Sequence, residues 1–307
     1  MVYLIDNLAR VTIAVVALAT GVLCRRFKLG RPIDYLSKFL LFIVMPYLIV
    51  YSTIFTDLSK VSAMIFVSAT YTAAAVILCF VSYSKLLRYR REFAGSLIYS
   101  SALQNTGFLP IPLVTVLYGI PDPAAIYNAA NIMVSSIAVP VVGSLLRRKD
   151  GNDSLLSVLK GILKFPPAIA LLVSLILRAF LGSTAPPTPL TMAKNLLGTI
   201  ILSSFAIVGY SILGIGRRAL SRPVLWVVAW RLLFSPLIHI ALSAAVGLSG
   251  VWLATTLIES VMPPATMNLV FARIYGFRDD VIAVTIALIT PLSLIASVII
   301  GVAIPAQ

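Results

Sequence analysis

Long apolar segments constrain this sequence more than any other feature. A membrane-spanning helix needs about 20 mostly apolar residues, and hydropathy separates ten such segments, which we call spans one to ten. They cover residues 3–23, 35–55, 60–83, 93–119, 123–146, 155–180, 189–214, 223–246, 249–274 and 280–304. Only 11% of the residues are charged, whereas soluble domains carry about 25%. The composition therefore excludes a soluble enzyme and predicts an all-α integral membrane protein.

Basic residues concentrate in alternate loops. The formal net charge is +14, from 24 Lys and Arg against 10 Asp and Glu. Because Lys and Arg stay on the cytoplasmic side, we expect cytoplasmic odd-numbered loops in a cell-membrane protein whose termini both lie outside. The excess of positive charge therefore reflects the orientation of the protein in the membrane, and we expect no nucleic-acid partner. The basic residues of the odd loops are Arg25, Arg26, Lys28, Arg31, Lys85, Arg88, Arg90, Arg91, Arg147, Arg148, Lys149, Arg217, Arg218, Arg222, Arg273 and Arg278.

The two halves of the chain contain the same number of spans. The longest hydrophilic stretch, Arg147–Asp153, separates repeat one (about 1–147) from repeat two (about 154–307). Since each half has five spans, an odd number, the second half must enter the membrane in the opposite orientation. We therefore predict two inverted five-helix repeats, the plan of many secondary transporters.

The fourth span of each repeat carries a proline cluster. Span four contains Gln104-Asn-Thr-Gly-Phe-Leu-Pro-Ile-Pro112, and span nine contains Glu259-Ser-Val-Met-Pro-Pro-Ala-Thr-Met-Asn268. Proline lacks an amide donor and clashes with the preceding turn, so both helices are expected to unwind within the membrane. Interruptions at matching positions indicate a transport site, and two structural kinks are the alternative. Kinks alone are expected at Pro46, Pro140, Pro236 and Pro291.

Ionisable residues at membrane depth are costly, and their default interpretation is functional. Glu259 lies near the middle of span nine. It is expected either to bind a proton or Na⁺, or to form a structural ion pair with Arg231 of span eight. Arg231 is either the counter-charge of an anionic substrate or a side chain that snorkels to the inner headgroups. His239 is either a hydrogen-bonded core residue or a proton relay.

The sequence contains no motif of an enzyme. A Gly-rich phosphate loop, a Cys/His cluster and a nucleophile elbow are all missing from it. We therefore expect no catalytic residues and no bound metal or cofactor, apart from Na⁺ or H⁺ as a coupling ion near Glu259.

Four stretches resemble the auxin efflux carrier family, which includes plant PIN-type carriers and prokaryotic homologues and is similar to the bile-acid symporters. They follow one another through nearly the whole chain: Phe42-Ile-Val-Met-Pro46, the Gln104–Pro112 stretch, Arg231-Leu-Leu-Phe-Ser-Pro236, and the residues from Glu259 to Asp280. The resemblance implies that helices 1, 2, 6 and 7 form a scaffold, through which two copies of the chain would pair as a homodimer. It also implies that helices 3–5 and 8–10 form a moving transport domain, in which the broken helices 4 and 9 cross.

The resemblance also implies roles for two residues. Asn105 matches the crossover asparagine that contacts the substrate carboxylate in PIN-type carriers. Glu259 stands where plant carriers tend to have a neutral amide, and where the bile-acid symporter fold places a Na⁺-binding acid. An ion-coupled mechanism follows as an expectation.

Together these features predict a secondary transporter for a small organic anion, such as an auxin-like carboxylate, that works by elevator-like alternating access linked to H⁺ or Na⁺. A channel-like pore and a ligand-binding membrane receptor are the alternatives. The predicted substrate-binding residues are Asn105, Thr106, Gly107, Asn131, Asn268 and Arg231. The predicted helix-breaking residues are Pro110, Pro112, Pro263 and Pro264. Ion coupling is predicted at Glu259, Asn105 and Thr106.

Overall fold

A computed structural model describes residues 2–146, 166–182, 185–212 and 221–305. The elements in these ranges are all helical. The predicted boundary between the repeats lies outside the described residues, as do the basic residues Arg147, Arg148, Lys149, Arg217 and Arg218.

Within the described ranges, six helical segments precede the predicted boundary and six follow it. The first six are α1 (Val2–Arg26), α2 (Gly30–Phe55), α3 (Leu58–Leu86), α4 (Arg91–Ala102), α5 (Pro110–Tyr118) and α6 (Asp122–Leu146). The others are α7 (Pro166–Leu181), α8 (Thr188–Tyr210), α9 (Arg222–Ala245), α10 (Gly250–Ser260), α11 (Met267–Tyr275) and α12 (Asp279–Ala303). In the described part of the chain, six helices are long and apolar enough to cross a membrane, namely α2, α3, α6, α8, α9 and α12. The fold is therefore that of an all-helical, multi-pass membrane protein.

The lone prolines leave their helices continuous. A π-helical turn at Leu40–Val44 lies just before Pro46 in α2, and another at Trp230–Phe234 lies just before Pro236 in α9. A π-helical turn is a local widening that lets a helix continue past a proline, which cannot donate an amide hydrogen bond. The other two lone prolines lie inside the unbroken helices α6 and α12.

The proline clusters, in contrast, coincide with real interruptions. Helix α4 ends at Ala102, and α5 begins at Pro110 with Pro112 in its first turn. Proline fits the first turn because the amide there has no partner within the helix. Between Ser260 and Met267 the chain is not helical, and Pro263 and Pro264 lie in that segment. Both predicted interruptions are thus present, and the prolines of span four begin the second half-helix rather than lying within the gap.

The interruptions lie inside the protein. All residues of α4 from Ala94 to Ala102 are buried, as are most residues of α10. Around them, both α4 and α10 pack against α3, α6, α9 and α12. Non-helical backbone at membrane depth is tolerated where protein covers it, and these helices supply the cover.

Candidate binding site at the two interrupted helices

The two interruptions meet as a pair of short antiparallel segments. The Asn105 amide donates to the Pro263 carbonyl at 2.8 Å, and the Ala265 amide donates to the Leu103 carbonyl at 3.0 Å. Gln104 and Pro264 form an isolated antiparallel β-bridge between these bonds. Each segment therefore satisfies backbone groups of the other that the unwound helices leave without partners.

Asn268, at the start of α11, ties the crossing to the end of α4. Its Nδ2 donates to the carbonyls of Tyr99 at 2.9 Å and Leu103 at 2.7 Å. The Tyr99 carbonyl also accepts a bond from the Leu103 amide at 3.3 Å, and the Leu103 carbonyl accepts the bond from Ala265. The Asn268 side chain therefore caps the end of α4 by adding a second hydrogen bond to each carbonyl. Asn105 stabilises its own segment in a similar way, because its Oδ1 accepts a bond from the Phe108 amide at 3.2 Å.

A cavity of about 140 Å³ lies against the crossing, between α2, α6 and α11. Five of the six residues predicted to bind substrate line it: Asn105, Thr106, Gly107, Asn131 and Asn268. Most of the remaining lining is apolar and includes Leu41, Met45, Phe108, Ile132 and Phe271. The arrangement suits a small ligand that has one polar group and an apolar body.

Amide and hydroxyl oxygens converge on one side of this cavity. The Thr106 hydroxyl lies 2.8 Å from the Oδ1 of Asn128 and 3.4 Å from the Oδ1 of Asn131. Ser135, one turn after Asn131 on α6, donates to the same Asn131 oxygen at 3.2 Å. Such a group of neutral oxygens can hold a cation only weakly unless a carboxylate joins it.

Arg231, the sixth predicted substrate residue, does not line the cavity. Its side chain is fully buried, so the snorkelling interpretation is wrong. The guanidinium Nε donates to the Met262 carbonyl at 2.9 Å, and Nη1 donates to the Tyr71 hydroxyl at 3.0 Å and to Gln104 Oε1 at 2.9 Å. Arg231 therefore joins both crossing segments, because Gln104 belongs to one and Met262 lies at the start of the other.

Glu259 is fully buried, and neither carboxylate oxygen has a hydrogen-bond partner among the described residues. The ion pair with Arg231 that the sequence left open is not formed as a direct contact, since the described salt bridges all involve other residues. An unpartnered carboxylate at this depth is the strongest candidate for binding a small cation or a proton.

Three further residues of this cluster were missed by the sequence analysis. Gln104 Nε2 donates to the Tyr127 hydroxyl at 3.0 Å, and this hydroxyl lies 2.7 Å from His239 Nε2. His239 Nδ1 lies 2.8 Å from the Ser235 carbonyl, which can only accept, so Nδ1 is the donor and Tyr127 donates to Nε2. His239 is thus a hydrogen-bonded core residue. Gln104 could have been found from the sequence, because it begins the polar run Gln104–Thr106. Tyr71 and Tyr127 could not, because nothing in the sequence distinguishes them from the other aromatic residues.

The chain is similar to known membrane transport proteins. Residues 32–150 match the family described as membrane transport protein. The chain is also 29% identical, over 275 residues, to an uncharacterized transporter of Methanocaldococcus jannaschii, and the alignment covers 85% of this chain and 86% of that protein. The matched family region includes the first interruption, and the relative extends the similarity over most of the chain. These matches confirm the resemblance to the auxin efflux carrier family and support a role in membrane transport.

Proposed function

We propose that this protein is a secondary transporter for a small organic anion whose body is apolar. The observation that carries the proposal is the cavity of about 140 Å³ beside two crossing, interrupted helices. Its mixture of amide groups and apolar side chains fits a carboxylate such as an auxin-like acid better than a sugar or an inorganic ion.

The carboxylate binds at the crossing, with Asn105 as its first contact. Thr106 and Gly107 of the same segment and Asn131 of α6 complete the polar side of the cavity. The start of α11, with Asn268, also lines it, and a helix N-terminus favours negative charge. Arg231 acts from outside the cavity, because it holds Gln104 beside Asn105 and thereby positions the first contact.

Transport follows an elevator-like alternating access between two inverted repeats, about 1–147 and 154–307. In this proposal α1, α2, α7 and α8 form the scaffold and the homodimer contact, and α3–α6 with α9–α12 form the transport domain. The cavity supports that division, since α2 contributes one wall and the crossing, α6 and α11 contribute the others. The cavity follows α6 from Asn128 toward Val139, which is the cytoplasmic direction if the odd loops are inside and the termini outside.

A coupling ion, H⁺ or Na⁺, binds at Glu259. The support is the buried Glu259 carboxylate, which has no hydrogen-bond partner among the described residues. It lies close in the chain to Met262, whose carbonyl accepts a bond from Arg231. Asn105 and Thr106 are the crossing residues through which the ion and the substrate influence each other.

The test is uptake of radiolabelled benzoate and indole-3-acetate by proteoliposomes containing the purified chain. We expect saturable uptake with counterflow, and a loss of at least tenfold in Asn105→Ala. Asn195→Ala, at an exposed position of α8, is the control and should transport normally. Currents far above carrier turnover would indicate a channel instead, binding without flux would indicate a receptor, and normal uptake by Asn105→Ala would refute the assignment of that residue.

A further inference from the structure

We propose that Asn128 of α6 is a second carboxylate-binding residue, which donates a hydrogen bond to the substrate from the side of the cavity facing Asn105. This inference rests on the proposed function and names a residue that binds the same ligand. Asn128 lines the cavity and is 2% exposed, and its Nδ2 is buried without a hydrogen-bond partner among the described residues. A buried amide donor without a partner is costly unless a ligand completes it.

The Asn131 amide is more committed to the protein than the amide of Asn128. The Thr72 hydroxyl donates to the Ser68 carbonyl at 2.7 Å, so Thr72 Oγ1 must accept the 2.8 Å bond from Asn131 Nδ2. One hydrogen of the Asn131 Nδ2 is therefore used by Thr72 of α3, and its Oδ1 faces the hydroxyls of Thr106 and Ser135. Asn131 thus has protein partners at both ends of its amide, whereas the Nδ2 of Asn128 has none among the described residues.

Asn268 is also committed to the protein. Its Nδ2 donates to two carbonyls at the end of α4, Tyr99 and Leu103. Both amide hydrogens are therefore used, and none is left for a ligand.

Asn105 and Asn128 differ from those two residues. Their Oδ1 atoms accept bonds from the Phe108 amide and the Thr106 hydroxyl, respectively. In the described part of the chain, no hydrogen bond from either Nδ2 to another residue is present. The cavity thus has two uncommitted amide donors, one on the crossing and one on α6, for the two oxygens of one carboxylate.

The two uncommitted amide donors also indicate the class of ligand. Two neutral amides can bind a carboxylate but cannot neutralise a second negative charge. Because Leu41, Ile132 and Phe271 form much of the remaining wall, the ligand is a monocarboxylate with an apolar or aromatic body.

Equilibrium binding to the purified full-length protein tests this assignment, with radiolabelled benzoate as the charged probe and benzamide as its neutral counterpart. In Asn128→Asp the acceptor for Thr106 is retained, while the donor is lost and a negative charge is added. We expect benzoate affinity to fall at least about tenfold, with benzamide affinity changed by less than about threefold. Asn128→Ser, which also lacks the amide donor, should show the same direction and keeps the test valid if the aspartate variant does not fold. Asn195→Ser, at an exposed position of α8 outside the cavity lining, is the matched control and should bind both probes normally.

The outcomes separate this inference from the proposed function. If the wild-type protein binds no carboxylate, the proposed substrate class fails and this assignment fails with it. If the wild-type protein binds benzoate and both Asn128 variants bind it equally well, only the role of Asn128 is overturned. An equal loss of benzoate and benzamide would also overturn it, because the residue would then shape the cavity rather than bind the charge.

Discussion

Lys194 of α8 and Asp122 at the start of α6 form an ion pair, with 2.8 Å between Nζ and Oδ2 and side chains only 14% and 12% exposed. The Ser52 hydroxyl of α2 donates to the other Asp122 oxygen at 3.0 Å, and Lys194 lies over the Tyr51 ring. Three helices are therefore joined at the end of α6 that lies away from the cavity lining. In the proposed mechanism this group closes the outer side of the protein, because it links the scaffold to the transport domain.

We predict that Lys194→Met and Asp122→Asn each destabilise the protein and that the double variant loses less than the sum. Each single change leaves one mostly buried charge without its partner, whereas the double change removes both charges. We expect a coupling energy of roughly 0.5–3 kcal/mol, measured from denaturant unfolding in detergent. Additive effects would show that the pair contributes no stability of its own.

The interruptions could be predicted from the sequence because proline acts on its own helix. Pro263 and Pro264 exclude regular helix wherever the rest of the chain lies. The cavity residues of the crossing were also predictable, since they lie within a few residues of those clusters. Local chemistry was sufficient for both.

The partners across the fold could not be predicted in the same way. The bond between Arg231 and Gln104 joins residues 127 positions apart, and periodicity carries no information about such distances. Likewise, Asn131 and Asn128 look equivalent in the sequence, and only the position of Thr72 on α3 separates a committed donor from an uncommitted one. Hydrogen-bond direction is a property of the folded arrangement.

Helices α1 and α8 approach so closely that two glycines are required. A Cβ added to Gly209 of α8 would lie 2.2 Å from the Leu18 carbonyl oxygen, and one added to Gly21 of α1 would lie 1.9 Å from the Ala206 carbonyl oxygen. We expect Gly209→Ala to destabilise the protein by about 1–3 kcal/mol, because the backbones must separate. Gly198→Ala on the same helix is the control, since its Cβ would meet the nearest atom at 3.7 Å. If both variants unfold alike, the close contact is not what requires glycine.

Replacement of the cap on α4 should loosen the crossing. Asn268→Leu keeps a similar volume but removes the two bonds to the Tyr99 and Leu103 carbonyls. We expect a loss of about 1–3 kcal/mol of unfolding free energy, since each of the two lost hydrogen bonds contributes about 0.5–1.5 kcal/mol. Asn195→Leu, at an exposed position, should leave the stability nearly unchanged. Equal effects of the two substitutions would contradict the capping role.

Asp57 should make a small part of the stability depend on pH. Its carboxylate caps α3, and hydrogen bonds from the Ser59 hydroxyl and amide hold the pKa of Asp57 below its usual value. Since the folded-state pKa is lowered, this stabilisation is present above the unfolded-state pKa, about 4, and is lost as the pH falls through the folded-state value. Asn also caps helices but does not titrate in this range. We therefore expect Tm to fall less between pH 5 and pH 3 in Asp57→Asn than in the wild type, and an equal fall would refute the assignment.

The acid at the centre of the protein provides the most direct test of ion coupling. Glu259 has no hydrogen-bond partner and no direct ion pair among the described residues, so its replacement by Gln removes the charge without breaking an observed bond. We expect Glu259→Gln to bind benzoate within about threefold of the wild type, because Glu259 does not line the cavity. Its uptake into proteoliposomes should no longer respond to an imposed pH or Na⁺ gradient, whichever one drives the wild-type protein. Asn195→Ala, at an exposed position of α8, serves as the comparison and should keep the gradient response. If Glu259→Gln responds to the gradient as the wild type does, the coupling ion binds elsewhere, and the buried acid serves only to balance the charge of Arg231.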